Sequence, residues 1–366
     1  MIDGGYYEGI YLTIITIYTI ILSDKYSHYP DSRLSQKSVS SKVPSIILTV
    51  FLIIFIGCRP LHSAFVDMWN YTQEYNVKIG KPFRYNPSTD NLIFNNLFNY
   101  IISNRIDLEI FFLIVAAIYF GGIYLYSRKL FPKDTLYSII IYLGAFSTFS
   151  YGTNGIKAGA AASIFLIALA YFDKKIICTF LLFVSLGIHH SMIMSIVAFI
   201  ICYFYRKPQF YLTIWFISLF IAFAHISFFQ SIFQELADEK GAQYLSLDPT
   251  QNIGYSTGFR PDFVLYSAFP VFIGYWVIIK HNYHSSAYNL IYCTYLLTNS
   301  IWMLCMYASF TNRIAYLSWF MLPAVLCYPF FNKLFIPNQY KKLNIIAWIH
   351  LGFTLFMVYI YYGFIK

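Results

Sequence analysis

The sequence predicts an all-α polytopic membrane protein, and two observations support this fold class. Hydrophobic residues make up 58% of the 366 residues, charged residues make up only 11%, and the mean hydropathy is +0.58. A soluble domain usually carries about 25% charged residues. The apolar residues also gather in runs that approach the roughly 20 residues a membrane-spanning helix needs. These features exclude an ordinary soluble enzyme and a disordered protein.

Apolar runs recur along the whole chain, and each one is a candidate span. They cover 8–22, 44–57, 110–127, 135–150, 157–172, 176–188, 190–205, 209–228, 262–279, 287–307, 313–331 and 344–364. Because hydropathy defines the ends of such runs only to within several residues, we expect about 12 transmembrane helices, within a range of about 11–13. We expect them to form a single transmembrane domain over 1–366.

The distribution of lysine and arginine predicts the orientation. Fifteen of the 25 basic residues, but only four of the 16 acidic ones, fall in the loops that share one side of the membrane. These loops cover 23–43, 128–134, 173–175, 206–208, 280–286 and 332–343. The positive-inside rule makes this side cytoplasmic, and an even number of spans then places both termini outside. The net charge of +9 therefore reflects topology, and we expect no nucleic acid partner.

Two long loops are expected on the outer side, at about 58–109 and 229–261. In the first, Leu92, Ile93, Leu97, Tyr100 and Ile101 recur at helical spacing, which predicts an amphipathic helix on the outer membrane face. A thirteenth span is the alternative, and five asparagines in this segment argue against it. The second loop begins with another amphipathic stretch, over 231–245.

Four basic residues stand at the outer ends of predicted spans: Arg59, Lys157, Arg260 and Arg313. A charge at such a boundary is costly unless it is paired or faces water, so each is a candidate for binding an anion. Arginine suits phosphate because its planar group donates two parallel hydrogen bonds. The alternative is a boundary cation that reaches towards lipid headgroups.

Further candidates lie close to these cations in the sequence. If 66–75 is helical, Asp67 and Tyr71 share one face, and Asp67 would act as a base or would orient another group. His189, His190 and Ser191 lie between two apolar runs, where a histidine can serve as a general base near neutral pH. The alternative for each histidine is a hydrogen-bonded residue in a helix hairpin. The six cysteines show no zinc-type or disulfide-type spacing, so we expect no metal site.

These residues, taken in order, resemble a known family. An Arg ends the second span, an Asp and a Tyr follow, and then come the segments GIKAGAA (155–161) and IHHS (188–191) and an Arg before a late span. This order resembles the EpsG-like branch of the Wzy-type polysaccharide polymerases, most clearly at 56–75, 154–172 and 186–198. Lys157 stands where that family usually has Arg, which keeps the charge but loses the bidentate geometry. The family's H-x-S pattern falls on His189 and Ser191.

The resemblance implies a GT-C-type glycosyltransferase in the bacterial cytoplasmic membrane, with an outward-facing active site. Such enzymes move a growing glycan from undecaprenyl pyrophosphate onto a lipid-linked repeat unit, and they build O-antigen, capsule or exopolysaccharide. His189 would then be the base, with Asp67 as the second choice. The expected ligands of the pyrophosphate and substrates are Arg59, Lys157, Arg260, Arg313, Tyr71, His190 and Ser191. No cofactor is expected, and the expected partners are the lipid-linked glycans, membrane lipid and a chain-length regulator.

Three other functions stay open at this point. A lipid-linked oligosaccharide flippase or another secondary transporter would also have about twelve spans, but it would show inverted repeats and broken helices near the membrane centre. An O-antigen ligase uses the same donor with a different acceptor. A membrane-bound O-acyltransferase also uses a buried histidine and is the weakest of the three alternatives.

Overall fold

The computed structural model describes residues 2–31, 41–226, 228–229, 258–308 and 311–363. Helices account for 76% of these residues and none of them lies in a strand, so the all-α fold class is confirmed. The helices are α1 (Tyr7–Ser27), α2 (Lys42–Gly57), α3 (Val66–Lys78), α4 (Leu92–Ser103), α5 (Leu108–Leu130), α6 (Thr135–Leu143), α7 (Thr148–Thr153), α8 (Ile156–Ala170), α9 (Lys175–Ile188), α10 (Met192–Phe204), α11 (Pro208–Phe223), α12 (Pro261–Tyr275), α13 (Ser286–Leu304), α14 (Thr311–Trp319), α15 (Leu322–Asn332) and α16 (Gln339–Phe356). A short 3₁₀ turn precedes α1, and π-helical turns extend α12 and α16.

Several helices have the length and composition of membrane spans. Within the described ranges, five segments are long and apolar enough to cross a membrane: Gly4–Ser27, Leu108–Leu130, Pro261–Lys280, Thr311–Asn332 and Gln339–Tyr361. Five further apolar helices, α2 and α8 to α11, have 10–17 residues. At 1.5 Å per residue, such helices are shorter than the roughly 30 Å hydrocarbon core. A multi-pass membrane protein is therefore supported, and the count of about twelve spans and the GT-C architecture stay predictions.

The first outer loop contains helices where the sequence predicts them. The segment 66–75 is helical as part of α3, so Asp67 and Tyr71 lie one turn apart on the same helix. The predicted amphipathic segment forms α4. The amphipathic stretch predicted over 231–245 lies outside the described residues.

The apolar face predicted for α4 is only partly buried against protein, and its placement on the outer membrane face stays a prediction. Phe94, Phe98 and Ile101 are buried, whereas Ile93 and Tyr100 are 41% and 49% exposed. The buried stripe is the one that packs against α3 and α5, where aromatic rings cover it. Both stripes are apolar, so hydropathy alone cannot tell which of them contacts protein.

The helices group into two compact units. Unit 1 consists of Met1–His189 and Phe330–Lys366, and unit 2 consists of His190–Pro329. The expected single domain over 1–366 stays a prediction.

In unit 1, α5 packs closely against α2 and α8 because small residues line both interfaces. A Cβ added to Gly122 would lie 2.6 Å from the Cβ of Ser163, and one added to Gly57 would lie 2.9 Å from the Cα of Leu113. The Ser163 hydroxyl also donates to the carbonyl of Ile118 at 2.9 Å. Small residues and interhelical hydrogen bonds are the usual means of joining helices in membranes.

Polar side chains join the helices α1, α6 and α16 of unit 1. The Tyr26 hydroxyl donates to Asp134 Oδ1 at 2.6 Å, and the Tyr137 hydroxyl donates to Asn344 Oδ1 at 2.7 Å. Asn344 Nδ2 in turn donates to the carbonyl of Ser23 at 2.8 Å. The ends of three helices that adjoin predicted cytoplasmic loops therefore meet at one end of this unit.

A buried hydrogen-bond network holds unit 2 together around Asn299. Trp215 Nε1 donates to Asn299 Oδ1 at 2.8 Å, and Asn299 Nδ2 donates to the hydroxyls of Ser267 at 3.1 Å and Ser318 at 2.9 Å. Trp319 Nε1 donates to the Ser267 hydroxyl at 2.8 Å. The network joins α11, α12, α13 and α14. Its geometry specifies how these apolar helices pack, which non-directional contacts alone would leave ambiguous.

Candidate functional site

Four of the predicted site residues come together at one end of unit 1. Arg59 lies two residues after the end of α2. Asp67 lies in the first turn of α3 with Tyr71 one turn later, and Lys157 lies in the first turn of α8. The end of α2, the start of α3 and the start of α8 therefore form the frame of the site.

Arg59 is almost completely buried, with 3% of its surface exposed. Its Nη1 donates to the carbonyl of Ile56 at 2.7 Å, and its Nη2 donates to the carbonyl of Thr153 at 3.1 Å. The guanidinium carbon lies 5.2 Å from the ring centre of Phe65 and 5.3 Å from that of Phe112. Both carbonyls belong to the last turns of helices, which carry partial negative charge. The charge of Arg59 is therefore matched by the ends of α2 and α7.

Burial also affects the protonation of Arg59. It lowers the pKa of this guanidinium to about 10, and the nearby Asp67 and Tyr7 act in the opposite direction. Arg59 is therefore still charged at neutral pH. Its Nε is buried and has no hydrogen-bond acceptor among the described residues.

Three hydrogen bonds join the segment after α2 to the turn between α7 and α8. Besides the bond from Arg59 to Thr153, Asn154 Nδ2 donates to the carbonyl of Ala64 at 2.9 Å. The backbone N–H of Ile156 donates to Asp67 Oδ2 at 3.3 Å. Asp67 therefore caps the N-terminus of α8 from another helix, where a carboxylate is favoured by the helix dipole.

Aromatic rings surround Lys157 and Tyr71. The Lys157 ammonium lies 5.6 Å from the ring centre of Phe94, and the Tyr71 ring lies 5.8 Å from the same ring. Tyr71 also packs against Phe111 at 5.7 Å and Phe112 at 6.5 Å. Phe112 contacts both Tyr71 and Arg59. Sequence reasoning missed these phenylalanines, and their only signal was their place on the apolar stripes of α4 and α5.

Tyr71 is suited to donate a hydrogen bond rather than to accept a proton. Burial raises the pKa of its hydroxyl, and the negative charges of Asp67 and Glu74 raise it further. The hydroxyl therefore stays protonated at neutral pH.

His189 lies at the same end of unit 1 as Lys157. The helices α8 and α9 form a hairpin, and the Ser185 hydroxyl donates across it to the carbonyl of Ala161 at 2.8 Å. Lys157 precedes Ala161 by one turn, and His189 follows Ser185 by one turn. The antiparallel arrangement therefore brings the predicted base towards the start of α8.

The remaining predicted residues belong to unit 2. His190 and Ser191 immediately precede α10, and Arg313 is exposed in the first turn of α14. Arg260 immediately precedes α12, and its guanidinium pairs with the carboxylate of Asp262, with Nε 3.0 Å from Oδ1. Arg260 is therefore already neutralised within its own unit.

In the part of the chain that the structure describes, no group of three or more histidine, cysteine, aspartate or glutamate side chains could hold a metal ion. The site at the end of unit 1 consists of two cations, a capping carboxylate, a protonated hydroxyl and an imidazole. This set can bind an anionic group and accept a proton from a hydroxyl.

Comparison with known proteins points to one family. A family model described as the EpsG family matches residues 42–366. The match covers all five predicted site residues of unit 1 and all four of unit 2. No curated protein and no solved structure matches the chain.

Proposed function

The chain belongs to the EpsG family, which indicates an exopolysaccharide polymerase of the Wzy-like kind, and from this premise we propose its reaction. The donor is a growing glycan on undecaprenyl pyrophosphate, and the acceptor is a lipid-linked repeat unit. Transfer takes place at the outer face of the bacterial cytoplasmic membrane. The protein acts as a metal-independent glycosyltransferase.

The proposed step exchanges one bond at the anomeric carbon. The acceptor hydroxyl oxygen attacks this carbon, its proton passes to a base, and the bond to the pyrophosphate oxygen breaks. The lipid pyrophosphate departs with the electron pair. Because negative charge grows on the departing oxygen, a fixed cation in a site of low water content would lower the barrier.

The geometry of unit 1 supports specific roles for its residues. Lys157 is the cation for the pyrophosphate, and Tyr71 donates a hydrogen bond to the same group. His189 is the base, and Asp67 positions Lys157 by capping the helix that carries it. The contacts of Arg59 favour a supporting role, since both of its terminal nitrogens bind helix carbonyls. His190, Ser191, Arg260 and Arg313 stay predicted substrate ligands.

A single observation carries the proposal. The hairpin of α8 and α9 directs Lys157 and His189 to the same end, and this is the end where Asp67 caps α8. A cation for the leaving group and a base for the acceptor hydroxyl are the two parts that the reaction needs.

The test uses purified protein in proteoliposomes that are supplied with the lipid-linked repeat unit. The wild-type protein should produce a ladder of longer glycans without an ion gradient. Replacing Lys157 or His189 with Ala should reduce turnover at least about 100-fold, which is the usual share of a charge-stabilising or acid–base group.

Matched controls come from the same unit. Lys129 also places its ammonium over a ring, 4.9 Å from that of Tyr171, and His28 is an exposed histidine beside Asp24. Ala substitutions at these two positions should leave the ladder unchanged. Movement of the lipid-linked glycan across the bilayer without chain growth would overturn the polymerase in favour of a flippase. Transfer of single repeat units to a different acceptor would favour a ligase.

A further inference from the structure

Three chain segments meet at one end of unit 2, around the ring of Tyr307. The Tyr307 hydroxyl donates to the carbonyl of Ala222, in the last turn of α11, at 3.1 Å. The backbone N–H of Arg260, before α12, donates to the sulfur of Met306 at 3.3 Å. The ring of Phe259 meets that of Phe223 edge to face at 5.6 Å. The predicted topology places the ends of α11 and α13 and the start of α12 on the outer side.

His225 is the unusual residue in this group. Its backbone φ is +57°, a region that residues other than glycine rarely adopt and that is kept where the surrounding structure requires it. Its imidazole stacks on the Tyr307 ring with centres 3.8 Å apart and planes within 5° of parallel. His225 is exposed, and Tyr307 packs against one face of its ring. The structure thus presents a flat aromatic surface.

Hydrogen-bonding groups belong to the segment that packs against this surface, because the backbone N–H of Arg260 bonds the sulfur of Met306, the residue before Tyr307. Arg260 and Asp262 form a forked ion pair, and the Arg260 guanidinium lies 3.8 Å from the ring centre of Phe263. Both charged side chains are partly buried. Since the pair is neutral as a whole, it suits groups that both donate and accept hydrogen bonds better than it suits a pyrophosphate.

We propose that His225 and Tyr307 form a stacking platform for a sugar ring, and that Arg260 and Asp262 bind the hydroxyls of that sugar. The C–H face of a pyranose packs on a flat aromatic surface, and its hydroxyls can pair with both a carboxylate and a guanidinium. This inference rests on the proposed function and names a subsite for its glycan substrate. His225 is a binding residue in this role and takes no proton.

Two variants separate stacking from proton transfer. His225→Asn removes the ring but tolerates the positive φ, and His225→Phe keeps a flat ring without nitrogen atoms. In the proteoliposome assay, His225→Asn should raise KM for the lipid-linked repeat unit about tenfold, with kcat within about threefold of wild type. His225→Phe should retain a KM within about threefold of wild type. His281→Ala is the control, because this histidine meets Trp276 edge-on at 4.5 Å beyond α12.

A binding measurement keeps this inference distinct from the proposed function. Saturation-transfer NMR with the soluble repeat-unit oligosaccharide, free of lipid and pyrophosphate, should give signals with wild type and His225→Phe but not with His225→Asn. Equal signals from all three proteins would overturn the platform. Loss of kcat in both variants with unchanged KM would also overturn it, in favour of a proton-transfer role. A wild-type protein that binds the oligosaccharide but makes no polymer would contradict the proposed function alone.

Discussion

Replacing Arg59 with methionine should destabilise the protein strongly, because the side chain joins the ends of two helices. The substitution keeps much of the length of the side chain but removes its charge and its donors. The carbonyls of Ile56 and Thr153 then lose their bonds of 2.7 Å and 3.1 Å. A buried acceptor left without a partner costs about 1–3 kcal/mol.

Two further effects oppose each other in this variant. The contacts with the rings of Phe65 and Phe112 are lost, at about 0.5–2 kcal/mol each. The free-energy cost of burying the guanidinium charge is also removed, and it is similar in size to the two ring contacts together. We therefore expect a net loss of about 2–6 kcal/mol, set mainly by the two carbonyls. Since 1 kcal/mol shifts the melting temperature of a domain of 150–250 residues by about 2–4 °C, the expected drop is at least about 4 °C.

The assay is thermal unfolding of purified protein in detergent, with Arg59→Lys and Arg128→Met measured in parallel. Lysine keeps the charge but not the planar fork, so its melting temperature should lie between those of wild type and Arg59→Met. Arg128 is partly buried, but its hydrogen bond to the carbonyl of Pro132, at 2.8 Å, is exposed to solvent, so its loss should change stability by no more than about 0.5 kcal/mol. An Arg59→Met protein with wild-type melting temperature and no activity would refute this reasoning, because it would make Arg59 a direct substrate ligand.

Three other predictions concern the same unit. Asp67→Asn should melt near wild type, because its amide oxygen can still accept from Ile156, whereas Asp67→Ala should cost about 1 kcal/mol. Gly122→Ala should destabilise by about 1–3 kcal/mol, because its Cβ would lie 2.6 Å from that of Ser163. Gly121→Ala is the control in the same melting assay and should not destabilise, because its Cβ would meet nothing within 4 Å. Burial lowers the pKa of Arg59 to about 10, so the unfolded chain holds this proton more tightly than the folded protein does. The free-energy cost of burying the charged guanidinium therefore falls only as the pH rises above about 10. Melting curves should therefore show a constant difference between wild type and Arg59→Met from about pH 6 to about pH 9.

The parts of the site that follow from local spacing could be predicted from the sequence. The i, i+4 spacing of Asp67 and Tyr71 predicted one helix face, and α3 has it. Small residues follow Lys157 in the sequence and favour close helix packing, and α8 meets α5 through Ser163 and Gly122. In both cases the signal lies within one or two helical turns, where backbone geometry fixes which residues are neighbours.

The parts that depend on distant segments could not be predicted in this way. Thr153 accepts from Arg59 across 94 positions, and nothing in either local sequence indicates this bond. Which stripe of α4 packs against protein also depends on distant segments, since lipid and protein are equally suitable neighbours for an apolar stripe. Only the packing of Phe94 against Tyr71 decides the question. The pairing of Arg260 with Asp262 is local, and here the side-chain conformation, rather than a distant segment, is what the sequence leaves open.

The position of Lys157 conflicts with the electrostatics of the helix that carries it, and this conflict supports a functional role. Lys157 is the second residue of α8, at the positive end of the helix dipole, where a cation costs about 0.3–1 kcal/mol. Asp67 offsets this cost by capping the same turn, and Phe94 offers its ring face to the ammonium. Alanine would satisfy the helix better and would need neither neighbour. A side chain that is locally unfavourable, yet supported by two other helices, fits a residue kept for binding an anion at the start of α8.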